Sequence, residues 1–578
     1  MSDTPPVRIA NFSGFYGDRD SAMKEMLDGG EIDYLTGDYL AELTMLILAK
    51  GMMKNPGLGY ARRFIDHLDT CLDDIAERGV KVVTNAGGLN PAGLADALKD
   101  KVSERGLDLT VAYVDGDDVR EHVWPTVSDA LCANAYLGAF GIVECLNAGA
   151  DIVVTGRVTD ASVVVAPAAH HFGWGPGEFD KIAGAMAAGH VIECGTQATG
   201  GNYSGFNRGI LDDKPVMPGF PLAEIYEDGT SVITKHAGTG GAVTAGTVTA
   251  QLLYEVTGAR YAGPDAVLRL DHVTVEDLGE DRVRISGATG EAPPPTTKVS
   301  VNRIGGFRNE VHVLFTGLDV EDKAELLIKQ LDAIEPRPRT VDYRLQRTDH
   351  PDADTQAAAA ARLVCVVWDP DQNLLADWGR GVVSTALASP PGTFFDGVPP
   401  KPSMYGTFLP TYLDNDVPVH TAHLPDGTTV TVAPPTTTAE IGSSHTDEPA
   451  PEAPTQDSTR HAPLGLIADA RSGDKGGSAN IGVWTSDPEA YPWLVQTVTA
   501  ESVKTLLPET ADLDVEVFAL PRLNALNIVV QDILGQGVAH GARFDPQAKG
   551  LGEWLRSRHV DIPESLLATS NSNSKEAS

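Results

Sequence analysis

The sequence predicts an α/β fold with three parts. The first is an N-terminal Rossmann-like parallel sheet with helices on both faces, the second an α+β middle region, and the third a small α+β domain at the C-terminus. Three observations predict it. Short apolar runs alternate with helix-spaced segments through the first 160 residues, the pattern of strands joined by crossover helices. From Tyr226 the character changes to hairpin signatures. From Pro434 to Pro463 a stretch dense in Pro, Thr, Ser and acids, with few large apolar residues, sets off the last hundred positions.

Taken in order, "VRIAN" (7–11), "IDYLTG" (32–37), "VKVVTN" (80–85), "LTVAYV" (109–114) and "ADIVVTG" (150–156) are predicted as buried strands. Between them, residues 38–53, 62–79 and 91–106 repeat apolar side chains at helical spacing, and the last two end on Gly. "AEIYEDGTSVITK" places Asp228 and Gly229 between two β-prone runs, a hairpin pattern. The expected boundaries are an N-terminal domain over 1–440, with a parallel core at about 6–225 and an α+β region at about 226–433. A disordered linker over 434–463, a C-terminal domain over 464–567 and a disordered tail over 568–578 complete the scheme.

The chain has 44 Lys and Arg against 80 Asp and Glu, a formal charge of −36. Such a surface repels phosphate backbones and anionic lipid, so neither nucleic acid nor a membrane surface is an expected partner. An anionic substrate therefore needs a locally basic pocket. The five cysteines are scattered without zinc spacing, which predicts free thiols, no metal site and a cytoplasmic location. The N-terminus has no basic region followed by an apolar core, and the apolar stretch 139–154 is interrupted by Glu144 and Asp151. Neither a signal peptide nor a membrane span is predicted.

Five stretches could carry chemistry. In "NFSGFYGDRD" the glycines Gly14 and Gly17 follow the first strand without nucleotide-binding spacing, and Asp18 is a candidate helix cap. In "TNAGGLNPAG", Asn85, Gly87, Gly88 and Asn90 either bind a ligand at the sheet edge or build the turn. In "TGRVTDAS", Arg157 is a candidate anion anchor beside Thr159 and Asp160, or closes the turn by pairing with Asp160. The nearby pair His170 and His171 is a poor metal site, because adjacent side chains point apart. In "AGHVIECGTQATGG", His190 and Glu193 share a helix face ahead of Cys194, Gly200 and Gly201, a base, an acid and a thiol. Cys194 reads more readily as a small buried hydrophobe than as a nucleophile, since no neighbour in the sequence is placed to lower its pKa. In "KHAGTGGAV", Gly240 and Gly241 either cradle phosphate or pack closely.

A further stretch, "RSGDKGGSAN", surrounds Arg471 and Lys475 with Gly473, Gly476 and Gly477. It suits a phosphate-binding concavity, a structured turn or a docking surface. The catalytic candidates are thus Asp160, His190, Glu193 and Cys194. The binding candidates are Asn85, Gly87, Gly88, Asn90, Arg157, Thr159, Gly200, Gly201, Gly240, Gly241, Arg471 and Lys475.

"SGFYGDR", "TNAGGLNP", "ADIVVTGRVTDAS", "HHFGW", "AGHVIECGTQATGG" and "KHAGTGGAV", in this order, resemble the acyclic terpene utilisation family AtuA. The opening of the last domain with "ALNIVVQDILGQGV" (525–538) resembles the AtuA-like C-terminal domain. The resemblance covers about residues 6–440 and 464–562 and implies a ferredoxin-like C-terminal domain. It also implies breakdown of citronellol- and geraniol-type compounds through acyl-CoA intermediates, alongside an acyl-CoA carboxylase. It brings no catalytic residues with it. The expectation is an enzyme acting on an acyl-CoA or branched carboxylic intermediate by hydration, lyase or hydrolytic chemistry. No cofactor is expected beyond coenzyme A as part of the substrate, and a homo-oligomer is expected. The alternative is a non-catalytic partner or regulator of a biotin-dependent acyl-CoA carboxylase.

Overall fold

A computed structural model describes residues 4–209, 214–446, 448, 449, 451 and 458–568. The chain divides into two compact units. One comprises residues 1–302, 408–538 and 547–578, and the other comprises residues 303–407 and 539–546.

The first unit is built on β1 (Val7–Ser13), β2 (Tyr34–Gly37), β3 (Lys81–Thr84), β4 (Val111–Asp115), β5 (Ala130–Ala135), β6 (Ile152–Thr155), β7 (Pro221–Ile225) and β8 (Ser231–Lys235). Five of these strands, in the order β1-β2-β3-β6-β4, are parallel neighbours. Their side chains divide between two cores: Val83 and Val153 pack on one face, Val82, Ile152 and Val154 on the other. That alternation explains the unbroken apolar runs, since both faces of the sheet lie under helices.

The sheet is larger and more mixed than the sequence predicts. The hairpin β7–β8 does not begin a separate region; β7 pairs antiparallel with β1. Strands Val283–Ser286 and Thr274–Asp277 extend that edge, while Thr421–His423 and Thr429–Thr431 extend the other beyond β4. Six of the eleven strands are therefore antiparallel flanks around a parallel centre. The predicted helix over 62–79 is two helices, Arg62–Asp69 and Leu72–Arg78. β5 lies outside this sheet and pairs with the strand Thr296–Thr316.

The same unit holds the C-terminal domain, an antiparallel sheet in the order 468–475, 478–485, 525–530, 515–520. Its even-numbered positions Ala468 and Ala470 and odd-numbered Ile481 and Val483 face the domain's own core, with Leu494 and Leu555 from its helices. The opposite face carries Asp469, Arg471, Gly473, Asn480, Gly482 and Asn527. This domain starts earlier than 464: Thr459–Pro463 is a strand paired with His559–Pro563. Upstream, the Ala439 amide donates to the Pro293 carbonyl and the Ala259 amide to the Ser444 carbonyl. Those parts of the predicted linker are therefore folded; residues 447, 450 and 452–457, and the tail beyond Leu567 except Ala568, lie outside the described residues.

The second unit runs strand (from Arg303 within Thr296–Thr316), helix Val320–Asp332, strands Thr340–Gln346 and Ala360–Asp369, helix Gln372–Ser384 and strand Thr393–Phe395. This is a β-α-β-β-α-β arrangement around Phe315, Leu327, Cys365 and Trp378. No helix among the described residues is long and apolar enough to cross a membrane.

Candidate functional site

The carboxyl ends of four of the five parallel strands deliver a polar residue to one edge. Asp38 follows β2, Asn85 follows β3, Asp117 follows β4 and Arg157 follows β6. Ligands of open α/β sheets bind at such an edge. Three of these residues come directly after a glycine: Gly37, Gly116 and Gly156. At Gly156 the reason is steric, because a Cβ would stand 2.2 Å from the Asp117 carboxylate.

Arg157 is buried, 3% exposed. Its guanidinium pairs with Asp160, donates to the Leu40 carbonyl at 3.2 Å and lies 4.3 Å over the Tyr136 ring. Although burial works against the charge, Asp160, Tyr136, Asp38 and Glu42 hold it protonated far above the ordinary range. The turn-closing pair with Asp160 therefore exists, and it stands inside the cluster. The Lys298 ammonium also approaches Tyr136, 4.8 Å from the ring, and lies 3.6 Å from Glu42. The Tyr136 hydroxyl donates to Glu42 at 3.3 Å. Burial raises Glu42, but Lys298 and Arg157 outweigh it and bring the carboxyl down to about 2. Glu42, Asp160 and Lys298 keep 26%, 26% and 24% of their side-chain surface, so this charged edge remains open.

Helix Phe179–Ile192 brings the next group. His190 Nδ1 lies 3.1 Å from Glu193 Oε1, and both side chains are buried. The Asn11 amide of β1 donates to the Ile192 and Glu193 carbonyls at 2.7 and 3.1 Å, tying this helix end to the sheet edge. Burial, and then the Lys475 ammonium, push the His190 imidazole down to about 4. Burial, then Asp160 and Glu255, push the Glu193 carboxyl well up. The two shifts both favour the uncharged forms of the pair, and Glu193 Oε2 has no hydrogen-bond partner among the described residues. The Cys194 thiol is raised well above its ordinary value by burial, then by Glu193, Glu255 and Asp38. It is not a thiolate at neutral pH.

The C-terminal domain supplies the other wall. Residues 468–475 and 478–485 form a hairpin closed by Gly476 and Gly477, with Lys475 opposite Ser478. Gly476 has φ +63, which answers one part of the glycine richness. The other part is docking, since a Cβ on Gly473 would stand 2.3 Å from the Tyr254 ring. Arg471 donates to Gln197 Oε1 at 2.5 Å and lies 4.1 Å over the Tyr254 ring. Lys475 faces Tyr261 at 5.8 Å, and that ring lies 4.8 Å from His190. Burial, then Glu255 and Glu42, push Asp474 up to about 7. Burial also raises Glu255, against the pull of Lys475.

Several sequence candidates hold structure instead. Asn85 accepts from the Tyr39 amide at 2.8 Å and donates to Asp38, which makes it a positioning residue. Asn90 caps helix Pro91–Arg105 by accepting from Gly93 N at 3.0 Å. Thr159 pairs with Ser162 at a helix start. Gly87 and Gly241 are packed against the carbonyls of Thr155 and Thr199, Gly240 against those of Pro215 and Met217, and Gly88 against that of Gly59. Gly200 closes the short 3₁₀ helix Gly195–Thr199 at φ +115, and the Gly201 amide donates to Thr196 O. The helix after Gly241 is capped by Thr244 and Thr247. Asp18 caps no helix; it accepts from Gly14 N at 2.7 Å, closing the turn. His170 meets the Tyr34 hydroxyl at 2.7 Å, away from the cluster.

Asp38, Glu42, Asp117, Tyr136, Tyr254, Glu255, Tyr261, Lys298 and Asp474 complete the site and were not among the sequence candidates. The repeated strand-Gly-charge pattern was a usable signal for Asp38 and Asp117. No group of three or more His, Cys, Asp or Glu side chains among the described residues is arranged to hold a metal ion.

The arrangement can hold a negative group among cations and move a proton between neutral and charged acids. Residues 7–424 match the family described as acyclic terpene utilisation family protein AtuA, and residues 462–561 match the AtuA ferredoxin-like domain. No curated protein and no solved structure matches the chain. The first match spans well over half of the sequence, and the chain belongs to the acyclic terpene utilisation family AtuA, with the family's ferredoxin-like domain at its C-terminus.

Proposed function

We propose that this protein is an enzyme acting on an acyl-CoA or branched carboxylic intermediate of acyclic terpene breakdown, by lyase or hydratase chemistry. The observation that carries this reading is Glu193. Its carboxyl is buried, pushed well above the ordinary carboxylate range by that burial and 3.1 Å from His190 Nδ1, and its second oxygen has no partner among the described residues. A carboxyl whose acid form is favoured by burial is suited to general acid catalysis. Asp160, ionically paired with Arg157, is suited to take a proton in the complementary step. Arg157, Lys298, Lys475 and Arg471 offset the negative charge of an acid or of an enolate-like state. The high thiol pKa of Cys194 disfavours covalent hydrolysis through that residue.

The test is turnover of geranyl-CoA, citronellyl-CoA, shorter branched enoyl-CoAs and their free acids by the purified protein. Glu193→Gln keeps an oxygen for His190 while removing the proton. It is expected to lower kcat by about 10²–10³ with KM little changed. If wild-type protein turns over none of these compounds and instead co-purifies with an acyl-CoA carboxylase, the partner reading replaces this one.

A further inference from the structure

We propose that Lys475, carried on the hairpin of the C-terminal domain, is the residue that receives the substrate's carboxylate, so that this domain reads the charged end of the ligand. The proposal deepens the enzyme reading and rests on it for the location of the site.

Four cations stand in the cluster, and three are committed. Arg157 is held by Asp160 and Leu40 O, Arg471 by Gln197 and Lys298 by Glu42. Among the described residues Lys475 has no hydrogen-bond or ion-pair partner; its ammonium faces the Tyr261 ring. Its charge nonetheless reaches His190, Glu193, Glu255 and Glu42. An ammonium with no hydrogen-bonded carboxylate of its own is a receptor for one negative charge. The unpartnered, buried Glu193 Oε2 is a second polar atom in its range.

The hairpin is held in register with the site by side-chain hydrogen bonds to the backbone around Glu255. Asn480 donates to Leu253 O at 2.6 Å and accepts from Glu255 N at 2.8 Å. Asn527 donates to Val256 O at 2.9 Å, and Asn480 also bonds Asn527 at 2.9 Å. Between these anchors Glu255 adopts φ +57, a left-handed conformation that a glutamate rarely takes and that clusters at functional positions. The Tyr261 ring beside the ammonium offers an apolar face that suits a branched hydrocarbon next to the carboxylate. A single ammonium balances one negative charge, which suits a carboxylate better than a dianionic phosphate.

Calorimetric titration of the full chain at pH 7 with sodium 3-methylcrotonate, sodium geranate, inorganic phosphate and coenzyme A tests this. Either carboxylate is expected to bind wild-type protein, with affinity at least tenfold weaker in Lys475→Met and largely restored in Lys475→Arg. The unliganded melting temperature of Lys475→Met is expected to stay close to wild type, since the ammonium makes no hydrogen bond or ion pair and loses only its distant approach to the Tyr261 ring. Unchanged carboxylate affinity in Lys475→Met, binding of neither carboxylate to wild type, or a Lys475-dependent site for phosphate alone would overturn the proposal. Lys475-dependent carboxylate binding by a protein that turns over no acid or thioester would support it while removing the enzyme reading.

Discussion

Asp117→Asn is expected to stabilise the protein at pH 8 and to leave its stability unchanged near pH 4. Asp117 is 3% exposed, and one carboxylate oxygen accepts from Arg157 N at 2.9 Å and Asn134 Nδ2 at 2.7 Å. Those two hydrogen bonds and its own amide favour the charged form, yet burial, aided by the nearby Asp118, wins and pushes the carboxyl up to about 7. In the unfolded chain the same group ionises near pH 4. Between these values the folded protein binds the extra proton, so stability is full below about pH 4 and is lost as pH rises to about 7. A carboxyl that ionises near pH 7 when folded and near pH 4 when unfolded costs about 4 kcal/mol at most once both states are ionised. An asparagine oxygen accepts both existing hydrogen bonds without a charge, so the variant loses this slope and not the turn. Urea midpoints at pH 4, 6 and 8 for both proteins measure it. A difference that does not grow with pH would sink the assignment.

Much of the parallel centre was legible because its physics is local. A strand covered on both faces must be apolar along its length, and β1, β2, β3, β4 and β6 carry such runs, separated by helix-spaced segments of which two end on glycine. The antiparallel flanks were not legible for the opposite reason. Strands of three residues such as Thr421–His423 and Thr429–Thr431 are too short to show a period, and their pairing with β4 is decided by tertiary packing.

The site divides in the same way. His190 and Glu193 sit three apart on one helix, so their contact follows from helical spacing. Glu255 and Lys298 enter from elements far along the chain from both the C-terminal hairpin and β6, and no local pattern marks them. The glycines show a subtler limit. That Gly87, Gly240 and Gly241 resist a side chain is visible in the sequence as glycine clustering, but a ligand and a backbone carbonyl impose the same requirement. At these three positions the occupant of the space is a carbonyl oxygen of the protein itself. In "RSGDKGGSAN" both readings hold at different residues: Gly476 serves the turn, and Gly473 serves the approach of the sheet to Tyr254.

Gly482→Val is expected to remove nearly all activity and to cost about 2–4 kcal/mol of stability. Gly482 lies opposite Arg471 in the hairpin and opposite Asn527 on the other side. It is the point where the C-terminal sheet meets the end of helix Ala245–Leu252. A Cβ there would stand 2.4 Å from Leu253 Cβ and 3.1 Å from Leu253 Cδ1. The first of these atoms is fixed to the backbone, so no rotamer change relieves the clash and the sheet must move away. The hydrogen bonds from Asn480 to Leu253 O and from Asn527 to Val256 O lie on the same face and lengthen with it. Glu255 then loses the clamp on its left-handed backbone, and Lys475 leaves the sheet edge. Displacements of about 1 Å in a catalytic group are enough to lower rates by about 10². Gly51→Ala is the control: nothing lies within 4 Å of a Cβ at that helical position, so stability is expected to hold or rise by up to about 1 kcal/mol, with activity intact. Denaturation midpoints, turnover and hydrogen exchange at residues 253–256 report the three effects separately. Wild-type exchange at 253–256 in Gly482→Val, together with wild-type turnover, would show that the C-terminal sheet does not hold the site together.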